Sequence, residues 1–224
     1  MDCIDLSMTE LYKICRKWCR DIQEEYSPHL VIYIARGGYI IGRAMEAGFR
    51  VPLLGIEARR SGRGVKEYCF PLLALLPRSI CNSLRKKEIH SGVHKKRQTR
   101  HIEFHREINH IHQPEAIKKI LVVDDSIDTG HSMKQVVDFV RQHFAKAEIR
   151  IFVLNEMTGQ EPIIKADYTL FRNTIMRTPM SSDSREYYKF LKLYKGRYKG
   201  WSTTHHLTPT VFEVGACKSE LHRY

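Results

Sequence analysis

The feature that most restricts the fold of this chain is an apolar run that ends in two adjacent aspartates. Residues 120–123 (Ile-Leu-Val-Val) are β-prone and bounded by polar residues, which predicts a fully buried parallel strand. Asp124 and Asp125 follow, and a short loop comes next. Apolar residues then recur at helical spacing, at Met133, Val136, Val137, Val140 and Phe144. A strand, a loop and a helix in this order predict an α/β unit.

The loop between this strand and this helix predicts an anion site. Residues 129–132 (Thr-Gly-His-Ser) come where the first free N–H groups of the helix and the positive end of its dipole face outward, which suits a phosphate. Asp124 and Asp125 could accept hydrogen bonds from a vicinal diol or hold a divalent cation. A sugar phosphate satisfies both halves of the site.

The same segment resembles the signature loop of the type I phosphoribosyltransferases, which bind 5-phosphoribosyl-1-pyrophosphate (PRPP). Residues 122–132 (Val-Val-Asp-Asp-Ser-Ile-Asp-Thr-Gly-His-Ser) match that signature nearly position by position. The resemblance implies PRPP as substrate, Mg²⁺ as cofactor, and Asp124 and Asp125 at the ribose hydroxyls and the metal. The alternative is an Asp-rich turn before an ordinary helix, or the acidic strand end of a receiver-type domain.

A second segment, residues 35–38 (Ala-Arg-Gly-Gly), ends the first predicted strand at residues 30–35. Its glycines permit close backbone approach to an anion, and Arg36 adds a fork-shaped donor. The segment resembles the pyrophosphate loop of the same family. That resemblance implies a cis peptide between Ala35 and Arg36, which would direct backbone N–H groups into the site. Alone, such a turn is also typical of an ordinary strand-to-helix connection.

Further residues are assigned by the resemblance. Arg59, Arg60 and Arg63 follow the next predicted strand and correspond to loop residues that neutralise pyrophosphate, although a solvated loop is an equal alternative. Asp128 corresponds to the proposed proton acceptor of purine-salvage relatives, and a carboxylate there favours an N–H base as acceptor.

Two positions depart from that pattern or match it loosely. Asn155 or Glu156 follows the strand predicted at residues 148–154, where oxopurine enzymes carry a Lys, which puts a 6-oxopurine substrate in doubt. Asp183 begins a segment that faintly resembles the acidic-aromatic segment that helps to hold base and magnesium, and the alternative is an ordinary helix with exposed aromatic side chains. The complete predicted site is Ala35, Arg36, Gly37, Gly38, Arg59, Arg60, Asp124, Asp125, Ser126, Ile127, Asp128, Thr129, Gly130, His131, Ser132 and Asp183.

The alternation of elements predicts a doubly wound, mainly parallel sheet. Ser7 and Glu10 form a capping-box pattern before a first helix, and a helix at residues 39–47 is predicted to stop at Gly48. Further strands are predicted at 51–56, 148–154 and 168–171. We expect one domain at residues 1–204, a hood insertion at about 58–113, a C-terminal hood element at about 173–200, and a polar tail at 205–224.

The sequence leaves three functions open, one of which is a partner-binding subunit with a vestigial site. The chain has no apolar stretch of membrane-spanning length, no evident secretory signal and only six scattered cysteines, so we expect a cytoplasmic protein, and the family commonly forms dimers. The favoured function is an Mg²⁺-dependent phosphoribosyltransferase acting on a purine-like base. The net charge of +12 keeps an alternative open, a PRPP-sensing regulator that binds RNA or DNA through basic runs at 85–106 and 185–199.

Overall fold

The computed structural model describes residues 3–60, 100–104, 111, 114–157 and 161–196. In chain order these form β1 (Cys3–Asp5), α1 (Met8–Gln23), β2 (Leu30–Ala35), α2 (Tyr39–Phe49), β3 (Leu53–Arg60), β4 (Arg100–Phe104), a 3₁₀ turn (Pro114–Ala116), β5 (Lys119–Ile127), α3 (His131–His143), β6 (Glu148–Glu156), β7 (Tyr168–Arg172), β8 (Ile175–Arg177) and α4 (Tyr187–Gly196).

A six-stranded sheet in the order β4-β3-β2-β5-β6-β7 forms the centre of this fold. All neighbouring strands run parallel except β4, which pairs antiparallel with β3 at one edge. Helices α1 and α2 cover one face and α3 covers the other. Residues 120–123 are therefore fully buried on both faces, as an apolar run in a parallel strand requires. The predicted doubly wound, mainly parallel α/β fold is confirmed.

Helix α1 begins as predicted. The Ser7 hydroxyl accepts a hydrogen bond from the Glu10 N–H, and the Glu10 carboxylate accepts one from the Ser7 N–H. This reciprocal pair satisfies two of the donors that a helix start leaves open.

The predicted stop of the second helix at Gly48 is wrong. Helix α2 continues to Phe49, and Arg50 caps it in the left-handed region at φ 58°. Gly48 instead lets α2 approach α1 closely, because a Cβ on Gly48 would lie 2.3 Å from the Cys19 sulfur.

The strands that lead to the predicted site are longer than their apolar runs. Strand β5 continues through Ile127, β6 through Glu156 and β3 through Arg60, because ladder hydrogen bonds join backbone groups whatever the side chains are. The insertion predicted to begin near residue 58 therefore starts inside β3. The chain returns from it as β4, which supplies the partner for the end of β3.

A second, two-stranded sheet joins the N-terminal residues to the segment after β7, since β1 pairs parallel with β8. The guanidinium of Arg177 lies between the carboxylates of Asp5 and Asp183, and its side chain is only 6% exposed. The Met8 N–H also donates to the Glu186 carboxylate. The N-terminal segment is thus fastened to the segment that leads into α4. Within the described residues, no helix combines the length and the apolarity that crossing a membrane requires.

Candidate active site

The two predicted binding segments meet at the carboxyl ends of β2 and β5, which are neighbours in the sheet. A Cβ on Gly37 would lie 2.7 Å from Oδ1 of both Asp124 and Asp125. A Cβ on Gly38 would lie 2.4 Å from the carbonyl oxygen of Val123. Glycine is therefore the residue that lets the Arg36–Gly38 turn approach the acidic pair this closely.

The two carboxylates differ in their surroundings. The N–H of Asp125 donates to Oδ1 of Asp124 at 2.9 Å, and the Ser126 hydroxyl lies 3.3 Å from Oδ1 of Asp125. Burial raises the pKa of Asp125 above the ordinary value of an aspartate, although hydrogen bonds to its own carboxylate, first of all from the Ser126 side chain, oppose the change. A cation or hydroxyl donors beside this carboxylate would stabilise its charged form.

The turn after β2 has the backbone that the resemblance implied. The peptide bond between Ala35 and Arg36 is cis, which confirms that prediction. The Gly38 N–H donates to the carbonyl of Ile34, and Arg36 lies exposed at the turn. Helix α2 begins at Tyr39, directly after this turn, so the positive end of its dipole lies at the same edge of the sheet.

The predicted phosphate cradle lies at the start of α3. Gly130 is the N-cap residue, its φ of 77° favours glycine, and it has no side chain with which to cap the helix. His131 and Ser132 are its first helical residues and are half-buried. Their position at the free N–H groups of the helix suits an anion.

A neighbouring segment supports the cradle from outside. The carbonyl of Thr129 accepts a hydrogen bond from the Ile163 N–H at 3.1 Å. A Cβ on Gly130 would lie 3.1 Å from the backbone nitrogen and oxygen of Ile164. Sequence reasoning missed this support, because no local pattern links residues 163–164 to the loop.

The residues between the acidic pair and the cradle fall into two groups. Ser126 and Asp128 are exposed, at the end of β5 and just beyond it. Ile127 is 2% exposed and packs in the core on the α3 side of the sheet. Only the backbone of Ile127 is therefore open to a ligand, whereas the Asp128 carboxylate stands at the surface of the site.

Arg59 and Arg60 lie in a strand and not in a loop, and Asp183, the third residue predicted to bind a metal, has an arginine as its partner. Arg59 and Arg60 were predicted in a loop, but they are the last residues of β3 and pair with His101 and Arg100 of β4. Arg63 and most of the insertion lie outside the described residues. The Asp183 carboxylate accepts a hydrogen bond from Nε of Arg177 at 2.9 Å, and its role at a metal stays a prediction.

The acidic pair fits the way in which proteins usually hold Mg²⁺. Within the part of the chain that the structure describes, no group of three or more His, Cys, Asp or Glu residues could hold a metal ion. Magnesium is commonly bound by one or two carboxylates together with substrate phosphates and water. Asp124 and Asp125, in contact with the turn suited to pyrophosphate, supply such a partial set.

The comparisons with known proteins agree with this geometry. A family model described as "Phosphoribosyl transferase domain" matches residues 7–183. No curated protein matches the chain in sequence. A purine phosphoribosyltransferase from Pyrococcus horikoshii is similar in structure, with a TM-score of 0.52, 20% identity, and coverage of 80% of this chain and 93% of that one. The xanthine-guanine-hypoxanthine phosphoribosyltransferase of Helicobacter pylori has a TM-score of 0.53, 16% identity, and coverage of 87% and 99%. Identities this low show a shared fold.

Proposed function

The chain belongs to the phosphoribosyl transferase domain family and is a phosphoribosyltransferase, and we propose that it transfers the 5-phosphoribosyl group of PRPP to a nitrogen of a purine-like base. The contact between Gly37 and the carboxylates of Asp124 and Asp125 carries this proposal. Because of this contact, the turn suited to pyrophosphate and the acidic pair suited to a ribose diol are close enough to bind one molecule of PRPP.

Each part of PRPP has a matching group in the proposed complex. Asp124 and Asp125 accept hydrogen bonds from the ribose hydroxyls, and residues 129–132 hold the 5′-phosphate at the start of α3. The Arg36–Gly38 turn binds the pyrophosphate group. Magnesium, held by the acidic pair and by ligand oxygens, would neutralise charge on the leaving group.

The proposed reaction is a substitution at C1 of the ribose. A nitrogen lone pair of the base forms a bond to C1 while the bond from C1 to the pyrophosphate oxygen breaks. Asp128 accepts the proton that the attacking nitrogen loses, and Arg36 stabilises the negative charge on the leaving pyrophosphate. Positioning of the two substrates by fixed groups supplies much of the rate enhancement.

Two observations support a purine-like acceptor. The carboxylate of Asp128 is exposed immediately after β5, where it can accept a proton from an N–H base. Two solved structures of similar fold, from Pyrococcus horikoshii and Helicobacter pylori, carry the names of purine phosphoribosyltransferases. Asn155 or Glu156 stands where oxopurine enzymes carry a Lys, so aminopurines belong in the panel of test bases beside oxopurines.

The decisive experiment measures pyrophosphate release from PRPP and Mg²⁺ with a panel of purine and pyrimidine bases. We expect release that depends on one purine-like base. Asp128→Asn should suppress turnover and leave PRPP affinity nearly unchanged, whereas Asp21→Asn on the exposed face of α1 should change neither. The absence of base-dependent release with every member of the panel would refute the proposal.

A second candidate function, binding of RNA or DNA, is supported by the outer face of α4 and the residues just before it. Arg185, Lys189, Lys192 and Lys195 are exposed there, and the Tyr188 side chain is 63% exposed among them. Basic residues bind phosphates, and an exposed aromatic ring can stack on a base. Oligonucleotide binding that falls steeply with salt and is lost in a Lys189→Glu, Lys192→Glu variant would support this candidate. Binding unaffected by that double substitution would exclude this face.

We also propose a homodimer, because members of the family commonly form dimers. Sedimentation velocity across a concentration series tests this assembly directly. A single species with the mass of one chain at all concentrations would contradict it.

A further inference from the structure

The order of the strands separates the two sides of the proposed reaction centre. Strand β5, which carries the acidic pair, lies between β2 and β6 in the sheet. The turn after β2 holds the leaving pyrophosphate in the proposed function. A nucleophile attacks carbon from the side opposite the leaving group, so the acceptor base must approach over the ends of β6 and β7.

At the end of β6, the side chain of Asn155 is hydrogen-bonded to both backbone groups of Thr174. Its Nδ2 donates to the Thr174 carbonyl at 2.8 Å, and its Oδ1 lies 3.4 Å from the Thr174 nitrogen. Nδ2 also lies 3.2 Å from the sulfur of Met157. Asn155 is 4% exposed and stands in register with Ser126, two residues beyond Asp124. The side-chain amide of Asn155 therefore fixes the backbone at Thr174.

Thr174 lies in the turn through which the chain leaves the large sheet. Asn173, at φ 50°, donates its N–H to the carbonyl of Glu156 at 3.0 Å, and the Thr174 hydroxyl donates to the carbonyl of Arg172 at 3.0 Å. Strand β8 begins at the next residue and pairs with β1. The position of Thr174 thus determines where the segment leading to Asp183 and α4 leaves the core.

We propose that Asn155 is a positioning residue for the acceptor base. Its amide fixes the backbone of residues 173–174 on the acceptor side of the acidic pair, and so sets the affinity for the base without touching PRPP. This inference rests on the proposed function for its kinetic consequence, but the mechanical part stands on the hydrogen bonds alone.

The test compares KM values for the two substrates. Asn155→Asp places an oxygen where Nδ2 stands, 2.8 Å from the Thr174 carbonyl, so attraction becomes repulsion at nearly constant shape. We expect the KM for the base to rise about tenfold or more, and the KM for PRPP to stay within about twofold. Equal changes in both KM values, or an unchanged KM for the base, would overturn the inference.

Tyr26→Phe is the matched control. The Tyr26 hydroxyl lies within hydrogen-bonding distance of the carbonyls of Ile120 and Glu148, at 3.0 and 2.8 Å. These two carbonyls are near the amino ends of β5 and β6, whereas Asn155 is near the carboxyl end of β6. Loss of the Tyr26 hydroxyl also removes a buried hydrogen bond between a side chain and the backbone. We expect a lower melting temperature and no change in either KM, which separates a general loss of stability from a loss of positioning.

A second measurement keeps the inference testable without activity. In Asn155→Ala, hydrogen exchange of the amides at residues 173–177 should be about tenfold faster or more than in the wild type, with exchange at residues 120–123 unchanged. Unchanged exchange at 173–177 would overturn the inference even in an active enzyme. A wild-type protein without base-dependent pyrophosphate release would instead contradict the proposed function, and hydrogen exchange would still decide the role of Asn155.

Discussion

The contact between Gly37 and the acidic pair predicts the effect of adding one methyl group. In Gly37→Ala the new Cβ would lie 2.7 Å from Oδ1 of both Asp124 and Asp125, whereas ordinary contacts begin at 3.4 Å. Since Gly37 is not in the left-handed region, the backbone accepts alanine and the carboxylates must move instead. The required displacement is about 0.7 Å, and a displacement near 1 Å costs about 100-fold in rate.

We therefore expect PRPP affinity and kcat/KM to fall by about 10- to 100-fold, which corresponds to about 1.4–2.7 kcal/mol. Titration calorimetry with PRPP and Mg²⁺ measures the affinity, and pyrophosphate release measures the rate. Circular dichroism and thermal unfolding verify that the variant is folded.

Gly42→Ala provides the control for steric crowding in general. Its new Cβ would lie 2.9 Å from Cβ of Tyr33 and 3.0 Å from Cδ1 of Leu53, inside the core and away from the acidic pair. Overpacking of this kind costs about 1–3 kcal/mol of stability. We expect the folded Gly42→Ala protein to bind PRPP as the wild type does. If folded Gly37→Ala also bound PRPP with wild-type affinity, the carboxylates would not hold the ribose, and the reasoning would be refuted.

Three further predictions concern stability. With a chelator present, Asp125→Asn should raise the melting temperature at pH 7.5, because burial raises the pKa of Asp125 and its ionised form destabilises the fold. The gain should vanish below about pH 3, where the carboxyl is neutral in both the folded and unfolded states. Asp138→Asn, at a half-exposed ion pair, should show no such gain. Gly130→Ala should cost about 1–2 kcal/mol and weaken phosphate binding because of its positive φ. Gly196→Ala, whose new Cβ would meet no atom of the described residues within 4 Å, should cost nothing in chemical denaturation. Arg177→Met should lower the free energy of unfolding by about 3–5 kcal/mol in the same assay, since two carboxylates would lose a buried cation. A loss below about 1 kcal/mol would contradict this prediction.

The parts of the fold that were predictable from sequence depend on local chemistry. Four apolar residues in a row identify β5 because a parallel strand is buried on both faces, and Ser7 with Glu10 identifies the start of α1 because its cap is formed within one turn. The turn at residues 35–38 and the cradle at residues 129–132 were readable for the same reason. The structure shows that their glycines also permit close approach to distant residues, to Asp124 and Asp125 at Gly37 and to Ile164 at Gly130.

Contacts between distant residues could not be predicted in this way. The bond from Arg177 to Asp5 joins residues 172 positions apart, and the Asn155–Thr174 bonds join residues 19 positions apart. The spacing of apolar residues along the sequence does not predict such pairs. The loop prediction for Arg59 and Arg60 was wrong for a related reason, because β3 continues only where β4 returns to pair with it.

The two sides of the proposed site differ in the same way. The side that binds PRPP depends on local sequence, and the side that binds the acceptor base depends on contacts between distant residues. The phosphate and pyrophosphate ends of PRPP meet backbone N–H groups at two strand-to-helix turns, and such turns depend on a few consecutive residues. The acceptor side depends on a turn that Asn155 holds from another strand, and on β8, whose place is fixed by β1 and Arg177. Substitutions in the turns should therefore change the handling of PRPP, while substitutions at the distant contacts should change the affinity for the base. Measuring both KM values for Gly37→Ala and Asn155→Asp tests this separation, and a shared kinetic effect would show that the two sides form one unit.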